Sequence, residues 1–223
     1  MIQLNRLLPK KWCQPCVCCE QRTTETLLCP HCLQACLDFM DQEINLLNYP
    51  NIQRMVSLED CDGLSVASWY RTPINTWLQG VKFNHSKAYQ CALNLLAQAL
   101  WQRFSEEDAF PVDLVCCLPL HRRRLIRRGY NQVEQIWQGL PLTQKILKRT
   151  KHTKPQSELT KAKRKRNLNN AFVLSQPVEG KNIVLLEDVI TTGATMNAAA
   201  KVCKQNGAKM VWAMAISLTP FDA

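Results

Sequence analysis

Glu187 and Asp188 stand side by side at the end of an apolar run, Ile183 to Leu186, and lead within three residues to Thr191, Thr192, Gly193, Ala194 and Thr195. Four consecutive apolar residues predict a buried strand, and a helical pattern begins near Thr195. A turn of small residues between a strand and a helix N-terminus aims several unpaired backbone N–H groups at one point, where the helix dipole also favours an anion. Gly193 lets the backbone approach closely, and the threonine hydroxyls add donors. The turn therefore fits a phosphate. The carboxylate pair fits sugar hydroxyls or a hydrated Mg²⁺, an ion that prefers carboxylates together with phosphates.

A second constellation follows the apolar segment Asp113-Leu-Val-Cys-Cys-Leu-Pro119. It holds Leu120, His121, Arg122, Arg123 and Arg124, then Arg127, Arg128, Gly129, Tyr130, Asn131 and Gln132. Guanidinium groups pair with phosphate oxygens in bidentate fashion, so this strand end can take a pyrophosphate. Ligands of open α/β sheets bind off the carboxyl ends of the strands, which puts the arginines on the same edge as Thr191–Thr195. Asn131 suits the N-cap of the helix that follows.

The third constellation is Cys16-x2-Cys19 followed by Cys29-x2-Cys32. Two such knuckles present four thiolates to one tetrahedral Zn²⁺, and four protein ligands make the site structural. The register stays open at this point, because Cys13, Cys18 and Cys36 lie close enough to substitute and His31 is a weaker alternative. A segment of this size has too small a core to fold alone, so the metal would supply much of its stability, on the order of 10 kcal/mol.

The elements that must position these groups can be outlined. Leu64 to Tyr70 alternates like a strand. Thr72 and Pro73 open a helix as N-cap and first residue, with Ile74, Trp77, Leu78 and Val81 inward. A second helix is expected from about Lys87 to Phe104, with Leu93, Leu96, Ala97 and Leu100 inward. Lys82 and Lys87 lie near the junction; either could reach a phosphate, although an exposed lysine is ordinarily only a solvated charge. Cys61, Cys91, Cys116, Cys117 and Cys203 lie in apolar runs and are expected in the core. Residues 148–171 hold nine Lys and Arg, few apolar residues and Pro155. They predict a mobile basic loop.

At 223 residues the chain holds one α/β core plus a small module. The expected division is a zinc-binding module over 1–50 and an α/β domain over 51–223. No apolar run is long enough to span a membrane, and the first residues carry no signal-peptide pattern. The expected location is the cytoplasm, where twelve cysteines point to metal binding or burial rather than disulfides. The net charge of +10 is concentrated: residues 121–171 carry 15 Lys and Arg against 2 Asp and Glu. Such a segment implies a polyanionic partner, either pyrophosphate or nucleic acid.

The stretch 183–195 resembles the loop with which type I phosphoribosyltransferases bind phosphoribosyl pyrophosphate (PRPP). The resemblance implies a parallel α/β sheet of that type. It also implies that Thr191, Thr192, Gly193, Ala194 and Thr195 hold the ribose 5′-phosphate, and that Glu187 and Asp188 hold the ribose 2′- and 3′-hydroxyls. Leu120, His121 and Arg122 fall where PRPP would lie, with Mg²⁺ accompanying the diphosphate. Purine-salvage members carry Asp where this chain has Thr191, so the pattern is of the orotate kind and argues against 6-oxopurine substrates.

Across nearly the whole chain the order of motifs narrows the likeness. Tyr70-Arg-Thr-Pro with Leu78 and Lys82-Phe83, Pro119-Leu120-His121, Arg128-Gly129-Tyr130-Asn131-Gln132, and Gln156-x2-Leu159 with Arg164 to Asn167 resemble the ComF/ComFC competence proteins and the related GntX group. That family starts with a four-cysteine knuckle and usually has Asp where Glu187 stands. The resemblance implies a cytosolic competence factor that binds PRPP and supports natural transformation by handling incoming single-stranded DNA, with other competence proteins, a helicase or recombination mediator, as further partners. Arg123, Arg124, Arg127, Arg128, Lys163, Arg164, Lys165 and Arg166 are the residues expected on DNA; the basic loop could serve as a lid on pyrophosphate or as a DNA clamp. Two other readings go with the resemblance: an active phosphoribosyltransferase, marked by pyrophosphate release with an acceptor, and a GntX-like metabolic protein, marked by the absence of DNA affinity.

Overall fold

The structure, a computed structural model, describes residues 14–23, 27–107, 111–150 and 171–220. Its centre is a four-stranded sheet formed by β3 (Gly63–Trp69), β4 (Leu114–Cys117), β7 (Asn182–Ile190) and β8 (Met210–Leu218) in the order β3-β8-β7-β4. Every pairing in it is parallel, with Leu185 opposite Ala213, Cys116 opposite Leu185, and Val66 opposite Ala215. Parallel strands need covered faces, so their sequences are nearly continuous apolar runs.

Period-two alternation divides those runs between two layers. Ile183, Leu185, Val211, Ala213 and Ala215 face α7 (Ala194–Gln205) through Ala199, Ala200 and Cys203. Val184, Leu186, Met214 and Ile216 face the other side. There they pack with Trp77 and Leu78 of α3 (Ile74–Asn84), Leu93 and Leu96 of α4 (Lys87–Glu106), and Val133 and Ile136 of α6 (Gln132–Ile136). Side-chain amides fasten α6 to α4: Asn94 Nδ2 donates to the carbonyls of Ile136 at 2.8 Å and Gln138 at 3.1 Å.

The cysteine segment contains the two-residue strands β1 (Gln14–Pro15) and β2 (Arg22–Thr23) and the helix α1 (Pro30–Ala35). Cys16, Leu28, Cys32, Cys36 and Leu37 join the same buried cluster as α3 and α4. The chain then runs along the free edge of β3. Asn45 Oδ1 accepts from Leu64 N at 3.1 Å, Ser65 Oγ donates to Ile44 O at 2.8 Å, and Asp38 Oδ2 accepts from Trp69 N at 2.8 Å. An open strand edge invites pairing with another chain; here side chains occupy it. The short helix α2 (Pro50–Met55) follows. On the opposite edge, Thr143 bridges to Val115 of β4.

Three expectations are corrected. The helix after β3 begins at Ile74 with Pro73 as its cap, and no side chain caps it, so Thr72 has no capping role. Cys91 is exposed, whereas Cys116 and Cys203 are buried and Cys61 and Cys117 half-buried. Position on α4 decides this: its neighbours Gln90 and Ala92 turn inward and Cys91 falls between them on the outer side. The start of the basic segment is strand, not loop. Lys148 and Arg149 lie in β5 (Leu147–Arg149), which pairs antiparallel with β6 (Phe172–Leu174). Lys163, Arg164, Lys165 and Arg166 lie outside the described residues. Among the described residues no helix is long and apolar enough to cross a membrane.

Candidate functional site

Because the four strands are parallel, the segments after β3, β4, β7 and β8 leave the same edge of the sheet. There the structure gathers Glu187 and Asp188, the turn 191–193 and the arginine helix α5 (Arg122–Arg128).

Gly193 forms the corner of the turn. Its φ is +76°, in the region that favours glycine. A Cβ there would lie 2.9 Å from Ser57 O, so conformation and space both exclude a side chain. The turn is braced from behind. Ser57 N donates to Thr192 O at 2.9 Å, and Asn197 and Asp60 exchange bonds of 2.8 and 3.1 Å. No side chain caps α7, which leaves its first-turn N–H groups for an outside acceptor. Thr191 is exposed; Thr192, Ala194 and Thr195 are half-buried.

Asp188 lies deeper, 5% exposed. Lys82 Nζ sits 2.6 Å from its Oδ2, Gln132 Nε2 donates to the same oxygen at 3.3 Å, and the Val189 amide donates to Oδ1 at 2.9 Å. Burial opposes charge at Asp188, but the Lys82 ammonium and these hydrogen bonds outweigh it and hold the carboxyl below its ordinary value. Glu187 behaves oppositely. Burial, and then the neighbouring Asp188 charge, push its carboxyl up to about 8. Of the two neighbouring carboxyls, Glu187 is therefore the one that more readily keeps a proton. Trp137 Nε1 donates to Glu187 O at 3.0 Å and fixes the backbone between them.

Helix α5 splits the arginines. His121 caps it, its Nδ1 accepting from Arg123 N at 3.2 Å, so His121 has a local structural role. Arg122, Arg123 and Arg127 are exposed, and Leu120 and Arg124 are half-buried. Arg128 turns inward. Its Nη1 donates to Gln132 Oε1 at 2.8 Å and its guanidinium stands 5.7 Å over the Phe83 ring, while its Nε is buried without a hydrogen bond. Arg128 therefore belongs with Asp188 and Gln132 rather than with the outward arginines. Asn131 caps α6, as expected, and also donates to Leu118 O at 3.1 Å.

The sequence singles out Lys82, Gln132 and, within the basic segment, Arg149, but not their partners on this edge, Asp188 for the first two and Glu187 for the third. Lys82 is the ion-pair partner of Asp188 and not a solvated charge, whereas Lys87 lies apart with Gln90 at 3.2 Å. Burial works against the Lys82 charge, but Asp188 overrides it and raises the ammonium above its ordinary value. Arg149 stands 5.4 Å over the Phe172 ring, close enough to the edge for its charge to interact with Glu187. The one available signal was the Lys82-Phe83 motif itself. Trp137 is buried, and Tyr130 is half-buried with the His85 ring 4.8 Å from its own and its hydroxyl donating to Val81 O.

The second candidate site is the sulfur cluster of Cys16, Cys19, Cys29 and Cys32, whose Sγ atoms all lie within 4.8 Å of one another. Zn–S bonds of about 2.3 Å in a tetrahedron put sulfurs about 3.8 Å apart, and Cys19 and Cys29 are separated by 3.8 Å. One of the sulfurs is also prepared for charge. Burial works against a thiolate at Cys16, but amides of Cys19, Cys29 and Cys18 outweigh it and bring the thiol down to about 6. Cys32 is pushed up by burial and then by the surrounding sulfurs, a crowding of like charge that a divalent cation relieves. Among the described residues Cys18 and Cys36 stand outside the cluster; burial, the main cause, raises Cys36 to about 12. Cys13 lies outside the described residues. The cluster can hold a metal ion.

A parallel α/β sheet with a charged strand-end edge and a four-cysteine module defines the class of protein. Within that class its relatives are specific. DNA utilization protein YhgH of Escherichia coli (strain K12) is 32% identical over 213 residues, covering 91% of this chain and 89% of that protein. Competence protein F of Haemophilus influenzae is 28% identical, covering 90% and 89%, and Competence protein ComFC of Streptococcus pneumoniae is 26% identical, covering 85% and 87%. The chain belongs to this ComF/ComFC family of competence and DNA utilization proteins. No protein-family model matches it. A hypoxanthine phosphoribosyltransferase from Staphylococcus aureus aligns over 58% of this chain and 73% of its own with a TM-score of 0.35 and 9% identity, a distant likeness that adds nothing to the geometry above.

Proposed function

We propose that this chain is a ComF-type competence protein that binds PRPP at the strand-end edge and handles incoming single-stranded DNA. The observation that carries the reading is the convergence, on one sheet edge, of the uncapped Thr-Thr-Gly turn, the Glu187–Asp188 pair and the arginines of α5. A phosphorylated sugar needs an amide-rich turn for its phosphate and polar partners for its diol. A diphosphate needs guanidinium and ammonium groups, with Mg²⁺ sharing its charge.

In this reading the turn from Thr191 to Thr195 binds the 5′-phosphate and the acidic pair faces the ribose. Arg122, Arg124 and Arg128 meet the diphosphate, and Arg123, Arg127 and the segment 163–166 meet DNA. Cys16, Cys19, Cys29 and Cys32 hold a structural zinc, and residues 1–50 form its module. The relatives named DNA utilization protein and Competence protein F support the competence role. Calorimetry with PRPP and Mg²⁺ tests the ligand. Thr192→Ala and Asp188→Asn should each weaken binding about tenfold to a hundredfold, as expected for one lost charge-assisted hydrogen bond of about 1.5–3 kcal/mol. Binding unchanged in both variants would remove the ligand from this edge.

A further inference from the structure

Asp188 is poorly disposed to receive a sugar as it stands. It is 5% exposed, and its two oxygens already accept from Lys82, Gln132 and the Val189 amide. A carboxylate accepts about four hydrogen bonds, so a vicinal diol can engage it only if a partner leaves. The Val189 amide is fixed in the strand. Gln132 is 3% exposed and its Oε1 is held by Arg128. Lys82 is the partner able to leave. It lies in the last turn of α3, its side chain is 20% exposed, and a lysine stem is long and flexible. A departing ammonium needs a new anion nearby. Arg128, held through Gln132 to the same carboxylate, has a buried Nε without a hydrogen bond and so offers such an anion a second cation.

We propose that Lys82 is an exchangeable counter-ion, which pairs with Asp188 until a ligand carrying both a sugar diol and a diphosphate takes its place. The ammonium then moves to the diphosphate, the freed carboxylate accepts the diol hydroxyls, and Arg128 remains as the fixed cation. This inference rests on the PRPP reading above and gives Lys82 a role in selecting the ligand. A diol without a diphosphate, such as ribose 5-phosphate, must separate a buried ion pair and gives the ammonium nothing in return. A ligand with both groups satisfies both halves of the pair.

The test is calorimetric binding of PRPP and of ribose 5-phosphate, with Mg²⁺, to wild type, Lys82→Met and Lys82→Gln. Glutamine keeps a donor for Asp188 without the charge, which guards against a methionine variant that folds poorly. Loss of the charge should weaken PRPP about tenfold or more, while ribose 5-phosphate binds as tightly as to wild type or tighter. The preference for PRPP should then fall by at least tenfold. Parallel losses for both ligands, or no loss for either, would overturn the exchange while leaving the strand-end site in place. Wild-type protein that binds neither ligand would overturn the PRPP reading itself.

Discussion

A glutamate pushed up beside an aspartate held down gives folding stability a definite pH dependence. Glu187 has a folded value of about 8 against an ordinary 4.5. Between those values the folded chain holds a proton that the unfolded chain has released, so stability falls as pH rises across the window. Asp188, held below its ordinary value by Lys82, works in the opposite sense. Its contribution is present above the unfolded value near 3.8 and is lost as pH falls through the folded one. Urea titrations from pH 5.5 to 8 should show wild type losing more stability with rising pH than Glu187→Gln, which has no proton to lose. Equal slopes in the two proteins would mean that Glu187 is ionised throughout.

The cysteine segment and strand β3 meet at Asp38. Its carboxylate accepts from Ser68 Oγ at 2.9 Å and Trp69 N at 2.8 Å, and it pairs with the Arg71 guanidinium. The last residues of β3, at the strand-end edge, are thus tied to a carboxylate six positions after Cys32. Arg103 adds a second tie by donating to Phe39 O at 2.7 Å. Metal analysis should find about one zinc per chain, as a closed four-ligand site requires. Removing it with a chelator should lower thermal stability and speed amide hydrogen exchange at Ser68–Arg71 as well as in the cysteine segment. Asp38→Ala should speed exchange at Ser68–Arg71 alone, with the zinc retained. Metal-free protein of unchanged stability would refute a structural role for the metal.

Positive charge is the dominant long-range feature of the chain, and among the described residues the arginines of α5 place part of it at the strand-end edge. Arg122, Arg123 and Arg127 are exposed on α5, and β5 carries the start of the basic segment, Lys148 and Arg149. Trp137 is buried and Tyr130 packs against the His85 ring, while Phe83 beside Arg128 is exposed; on the proposed reading a single strand is held mainly through its phosphates. Binding should be indifferent to base sequence, and for about four engaged phosphates log affinity should fall with log salt at a slope of roughly −3. Replacing Lys163, Arg164, Lys165 and Arg166 with alanine should flatten that slope and weaken binding while the melting temperature holds. Fluorescence anisotropy across salt concentrations measures both effects. Loss of PRPP binding with unchanged single-strand affinity would make this segment a lid rather than a clamp.

What the sequence determined by itself was local. The strand, the acidic pair, the Thr-Thr-Gly turn and the helix after it are contiguous, and each obeys a short-range rule of periodicity, backbone freedom or dipole. The cysteine quartet was legible for the same reason, since its spacing alone brings four sulfurs together, although choosing Cys16, Cys19, Cys29 and Cys32 over Cys18 and Cys36 took the fold of α1. The tertiary structure decided what depends on how elements turn toward one another. The rotation of α4 sends Cys91 outward, and the C-terminal end of α5 sends Arg128 inward while Arg122, Arg123 and Arg127 stay in solvent. Packing of α3 across the end of β7 makes Lys82 the partner of Asp188. Such partners are far apart in the chain and are matched by helix rotation and strand register, quantities set by the whole core at once and carried by no single stretch of residues.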